Sequence, residues 1–307
     1  IGPGSPEWQD LLDEMPGESR PRRLFAAGTS LRTGPHAVAV VGSRRPTAAG
    51  LQIAGEIARG LAEAGLPVVS GLAMGIDAAA HHAALDAGGY TVGVLGCGLD
   101  VDYPRRNGRL KQRIAARGTL LSEYGPGVQP LPGYFPERNR IIAGLCCAVV
   151  FVEGSARSGG LITARCALDL NRHVFAVPGS TRNPLAAGPN ELIRTSQAAL
   201  VTNAQHVIEE LAPGIVWGGP SGEGVVIGDP RVNPGEARML LFLDDAPTTL
   251  ERICTDLDLR LGEAAVILAA LEVRNFVRKR PGGYSVTEAG ARVRSRLPLD
   301  DEEQASV

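Results

Sequence analysis

The sequence predicts an α/β protein: an extended Rossmann-like, mostly parallel sheet domain followed by a small winged-helix domain. Two patterns carry that expectation. Between residues 37 and 211, short β-branched apolar runs alternate with segments whose apolar residues recur at helical spacing. Parallel strands buried on both faces by crossover helices have this signature. After a break dense in Gly and Pro come three helical segments and two short strands around Pro281, Gly282 and Gly283, the order of a winged helix-turn-helix.

Taken in order, residues 1–5 resemble an expression leader and are set aside. The rest of the N-terminal segment, to residue 35, predicts a short helix around Trp8, Leu11 and Leu12 and a loop or strand at 24–26. Strands are expected at 37–42, 67–71, 91–95, 119–123, 148–152, 173–177 and 199–202. Helices are expected over 51–61, 78–85, 138–145, 161–170 and 205–211. Together they make a Rossmann-like domain at 36–211. Residues 212–234 read as a linker, and 235–297 as the winged helix, with helices at 236–243, 248–256 and 261–273. The acidic tail, 298–307, is expected to fray.

Aromatic residues make up 4% of the 307 residues and hydrophobic residues 44%, so the core must be built from Ala, Val, Leu and Ile. Formal net charge is −2. Any nucleic-acid site must therefore be a local cluster of arginine rather than a basic surface. The five cysteines, Cys97, Cys146, Cys147, Cys166 and Cys254, form no C-x-x-C pair, which argues against a zinc ribbon or a disulfide framework. Neither a signal peptide nor an apolar run long enough to span a bilayer stands out, so a cytoplasmic protein without a membrane partner is expected.

In open α/β sheets ligands bind beyond the carboxyl ends of the strands, which directs attention to five loops. The first holds Gly42, Ser43, Arg44 and Arg45 before a helix opening at Pro46 or Thr47. Gly42 is expected to permit the turn, and the helix N-terminus with two arginines suits a phosphate; the alternative is an ordinary turn with two solvated arginines. In the second, Asp77 is expected to cap the following helix, and His81 and His82 to be structural or surface residues. The third is the glycine turn Gly96, Cys97, Gly98. The fourth, Phe135, Pro136, Glu137, Arg138, Asn139, Arg140, offers a ring to stack a base and guanidinium groups for phosphate. Either Arg138 or Arg140 could be the phosphate ligand, the other anchoring structure. The fifth carries Ser158 and Gly159 at a helix start, where backbone N–H groups can cradle an oxyanion. It has no Walker A lysine.

Four blocks in this order, VAVVGSRRPTAAG, SGLAMGIDAAAHHAAL, FPERNRIIAGL and SGGLITARCAL with the downstream VFAVPGS, resemble the DprA (Smf) family of DNA-processing proteins, from about Trp8 to Leu211. The resemblance implies an extended Rossmann domain that binds single-stranded DNA without sequence preference, a homodimer, and delivery of the strand to the recombinase RecA in natural transformation. It implies neither turnover nor a cofactor. By motif, the DNA pocket would take Gly42, Ser43 and Arg44, the turn Gly96–Cys97–Gly98, then Phe135, Arg138, Asn139 and Arg140, and Ser158 with Gly159. Some relatives carry a lysine shortly before the aromatic, where this chain has Leu131, Pro132 and Gly133. The helical domain that precedes the Rossmann unit in many members is expected to be missing.

A nucleoside-monophosphate phosphoribohydrolase on a related fold is the alternative, because Glu153 and the glycine-rich turn after it resemble that enzyme's loop. The acid expected four residues into the helix is absent. A nucleotide-sensing winged-helix regulator ranks third. The helix at 261–272 is apolar and acidic and offers no basic side chain to a major groove, so a protein contact, or a weak duplex contact through Arg278, Lys279 and Arg280, is expected there.

Overall fold

The computed structural model describes residues 1–3, 8, 10–33, 36–211, 234–274, 276–280 and 282–294. They fall into two compact units, one ending at Leu211 and one C-terminal. The expected linker, apart from Pro234, and the acidic tail lie outside the described residues.

The first unit runs α1 (Asp10–Asp13), β1 (Phe25–Gly28), β2 (Val38–Val41), α2 (Ala48–Glu63), β3 (Val68–Ser70), α3 (Ile76–Asp86), β4 (Thr91–Leu95), α4 (Gly108–Arg117) and β5 (Thr119–Ser122). It continues with α5 (Tyr134–Gly144), β6 (Ala148–Phe151), α6 (Gly159–Asp169), β7 (His173–Ala176), α7 (Ala187–Arg194), β8 (Ala199–Leu200) and α8 (Ala204–Leu211). The strands form one sheet in the order β1-β5-β4-β3-β2-β6-β7-β8. Every pairing is parallel except β1 with β5, where Phe25 faces Ser122.

β2 through β6 are buried along their whole length, as strands covered on both faces must be. On one side Ala39, Val41, Val94 and Val149 meet Ile141, Ile142 and Leu161 of α5 and α6. On the other, Leu95 and Leu120 meet Leu85, Leu110 and Ile114 of α3 and α4. The N-terminal segment is part of this core: Trp8, Leu12, Met15 and Leu24 are buried in it, and Ile1 packs against it. The Ile1 ammonium also donates to the Leu24 carbonyl at 2.8 Å. Residue 1 thus packs into the fold.

Strand order reverses between β2 and β6, whose Val41 and Phe151 lie side by side. A crevice forms at such a switch point because the connections leave β2 and β6 toward opposite faces. The loops after these two strands are 42–47 and 152–158, which the sequence had singled out.

The second unit has three helices, α9 (Pro234–Phe242), α10 (Leu250–Asp256) and α11 (Leu261–Val273). A hairpin of β9 (Val277–Arg280) and β10 (Gly283–Val286) follows, and then α12 (Glu288–Arg294). Met239, Leu240, Ile253, Leu268 and Val286 share its own core. Three elements were not anticipated: α4, α7 and α12. Outside Leu110 and Ile114, α4 has no large apolar residue and carries Arg109, Lys111, Gln112, Arg113 and Arg117, and α7 opens through Gly188 and Pro189.

Candidate nucleic-acid cleft

Gly42, Ser43, Arg44, Phe135, Arg138, Asn139, Ser158 and Gly159 line one cleft of about 440 Å³ at the switch point. Gly96 and Cys97 line a smaller recess that shares Arg44, Tyr103, Phe135 and Arg138 with it. The exposed Arg44 guanidinium lies over the Phe135 ring, 5.0 Å from its centroid, and the Tyr103 ring is tilted against Phe135 at 5.3 Å. Tyr103, Leu131 and Ile162 of α6 are exposed large apolar side chains, and Tyr103 and Ile162 line the cleft. The rim therefore offers ring and aliphatic surface beside a positive charge.

The floor is Arg138. It is buried, and its guanidinium donates to the Gly71 carbonyl at 2.7 Å and to the Val94 carbonyl, tying α5 to the ends of β3 and β4. Burial lowers its pKa to about 10, so it stays charged at neutral pH. Asp77 lies within its field. Burial raises the Asp77 carboxyl, and Arg138 and the amides of Ala73 and Gly71 draw it back. Asp77 does not cap α3 as expected: the N-cap is Gly75, and the carboxylate folds back onto the loop after β3. Arg138 is thus the anchor of the pair weighed above. Arg140 is not in the cleft lining. One of its terminal nitrogens grips both carboxylate oxygens of Glu123 at 2.8 and 2.9 Å.

The first loop works differently from the expectation. Thr47 caps α2, its hydroxyl accepting from the Gly50 amide at 2.9 Å. The Thr47 amide and hydroxyl donate to Glu153 at 2.8 and 2.7 Å, and Asn183 donates to the same carboxylate at 3.1 Å. The N-terminus of α2 is therefore taken by the protein's own anion and is not a free phosphate seat. Glu153, on which the phosphoribohydrolase alternative leaned, is consumed in this cluster. Gly42 has no left-handed backbone; an added Cβ would sit 2.8 Å from the Glu153 carbonyl and the Ile76 side chain. Its need is close approach of β2 to β6. Replacing Thr47 with Ala should cost about 1–2 kcal/mol, read as a lower urea midpoint with unchanged m-value.

The N-terminus of α6 is the one that opens into the cleft. Ser158 caps it by accepting from Leu161 N at 3.4 Å, Asn139 donates to the Gly159 carbonyl at 3.2 Å, and both Gly159 and Gly160 line the cavity. The first-turn amides of a helix have no acceptor within it, so those of Gly159 and Gly160 add to the positive potential near Arg44. Arg45 is exposed and outside the lining. Gly98 is buried and outside both linings, its amide donating to Val128 O at 2.8 Å. The sequence reading passed over Tyr103, Gly160 and Ile162. Tyr103 was within reach of sequence reasoning, as an aromatic in a strand-end loop. Among the described residues no three His, Cys, Asp or Glu side chains gather as a metal site, and no helix is long and apolar enough to cross a membrane.

A doubly wound sheet with an aromatic-rimmed, cationic cleft at its switch point defines a Rossmann-like domain. Residues 1–212 match the model of the DNA recombination-mediator protein A family, and the chain belongs to that family of recombination mediators. It is 51% identical over 173 residues to DNA processing protein DprA of Streptococcus pneumoniae, covering 56% of this chain and 61% of that protein. It is 36% identical to protein Smf of Escherichia coli over 86% of this chain and 71% of Smf. The solved structure of the S. pneumoniae protein superposes with a TM-score of 0.65 at 45% identity, over 68% of this chain and 73% of that one. A structure of DNA processing protein A from Helicobacter pylori, described for its unique single-stranded DNA binding mode, gives 0.61 at 33% identity, over 66% and 92%.

Proposed function

We propose that the switch-point cleft holds single-stranded DNA without sequence preference and without turnover, and that the chain, as a homodimer in the cytoplasm, passes the strand to RecA during natural transformation. The observation that carries the reading is Arg44 seated over Phe135 beside the open end of α6. A phosphate meets a guanidinium and helix amides, while an unstacked base meets a ring. A duplex hides its bases, so the apolar rim favours single strands. The H. pylori relative's single-stranded DNA binding and the family's role as recombination mediators support the same reading.

The test is fluorescence polarisation with a labelled oligothymidine. Arg44→Ala should weaken binding about tenfold and lower the salt slope by up to about 1. Phe135→Ala should weaken it about tenfold with the slope unchanged, since stacking is worth about 1–3 kcal/mol per base. Arg140→Ala should change affinity less than about twofold, its charge being matched by Glu123. Full affinity in both Arg44→Ala and Phe135→Ala would overturn the assignment. Release of free adenine from AMP at enzymatic rates would replace it with the hydrolase.

A further inference from the structure

We propose that the strand held in the switch-point cleft leaves it over Tyr103 and continues along a second groove, where Arg105 takes a further phosphate, a path that rests on the proposed single-strand role of the cleft. The groove has a volume of about 650 Å³, within the about 300–1,000 Å³ of sites that hold a ligand. Its position makes it a continuation of the cleft rather than a separate site. Tyr103 belongs to the linings of the cleft, the recess beside it and the groove. Pro132 lines the cleft and Pro130 the groove, so one short loop also runs from the first to the second.

The walls of the groove suit a polyanion that carries rings. Arg105 is exposed, and among the described residues no carboxylate pairs with its guanidinium. The carboxylate in the lining, Asp102, is matched by Lys111 Nζ at 3.2 Å, so the local balance is positive. Tyr103 is 38% exposed and offers ring surface where the two cavities meet, and Pro104 and Pro130 add apolar surface for a base or a sugar. The backbone beneath is fixed by the protein itself. Asn107 ties the turn Arg105–Asn107 to the loop after β3, donating to the Leu72 and Ala73 carbonyls at 2.9 and 3.1 Å. Lys111 holds the preceding loop through the Val101 carbonyl at 2.8 Å. Little ordering is left for binding to offset. Arg105 lies outside the linings of the cleft and the recess, so a ligand confined there gains nothing from it, whereas a longer strand engages Arg44 and Arg105 together.

Fluorescence polarisation of the full chain with oligothymidines of about 4 and about 12 nucleotides, lengths within the usual range of single-strand sites, tests the path. Arg105→Ala should weaken binding of the longer oligonucleotide about three- to fivefold, the scale of an exposed ion pair, and lower its salt slope by about 0.7. The shorter one, accommodated in the cleft, should bind the variant to within about twofold of the unaltered protein, at an unchanged slope. Arg106→Ala removes the same charge from an exposed neighbour outside all three linings and should leave both affinities within about twofold. Equal loss on short and long strands, loss on neither, or an equal loss in Arg106→Ala would overturn the extension and leave the cleft assignment standing. No binding by the unaltered protein at either length would overturn both.

Discussion

Replacing Arg138 with Met should lower the unfolding free energy by about 3–5 kcal/mol, the usual cost of removing one member of a buried charged arrangement. The variant strands the Gly71 and Val94 carbonyls that the guanidinium satisfies and leaves the Asp77 carboxylate without its compensating charge. Met fills much of the space, so the loss is electrostatic rather than a cavity. Urea denaturation at pH 7 is the measurement. Asp77→Asn in the Arg138→Met background should recover at least about 1 kcal/mol, because the uncompensated charge is gone while the side-chain oxygen still accepts from the loop amides. A loss below about 1 kcal/mol for Arg138→Met would show that the cleft floor does not depend on this residue.

Acidification should destabilise the protein through His81. Its Nδ1 lies 2.7 Å from Thr91 Oγ1, and that hydroxyl donates to the Val68 carbonyl at 2.7 Å. Nδ1 must therefore carry the proton, and the buried Nε2 has no partner. Protonating Nε2 would place a cation in the core; burial, with the charges of His82 and Arg138, outweighs the hydrogen bond to the Ser70 backbone that would favour it and lowers the pKa to about 3 from 6.5. The unfolded chain then binds more protons than the folded one below pH 6.5. Stability is full above that value and falls with pH at up to about 1.4 kcal/mol per unit until pH 3, about 2 kcal/mol by pH 5. Asp77 has the opposite sign, since its raised pKa makes the folded state the better proton binder above 3.8. His81→Leu keeps Asp77 and removes the histidine, so the difference between the two proteins isolates His81. The variant's stability should be flatter between pH 6.5 and 4.5 by about 2 kcal/mol; parallel curves would refute the assignment.

The alternation of apolar runs made the sheet readable, because a parallel strand buried on both faces tolerates little but Val, Ala and Leu. Strand order was not readable, yet it is what brings loops 42–47 and 152–158 to one crevice. α4 escaped because Leu110 and Ile114 are its only large apolar residues, too narrow a stripe to register. At the cleft, the residue types were legible and their partners were not. Arg138 and Arg140 stand two apart on one helix, a step of about 200°, so they point in nearly opposite directions. Only the packed structure says that one meets backbone carbonyls and the other Glu123. The occupation of the α2 end by Glu153 rests on a contact across 106 positions, which no local pattern encodes.

That occupation bears on selectivity inside a cell. Rossmann folds seat the pyrophosphate of soluble coenzymes on the helix that follows the first strand of the nucleotide-binding unit, and here the corresponding seat is already filled by a carboxylate that repels such groups. NAD and ATP, plentiful as they are, lose their customary foothold, which suits the proposed role of the groove in holding a polymer by many weak grips along its length.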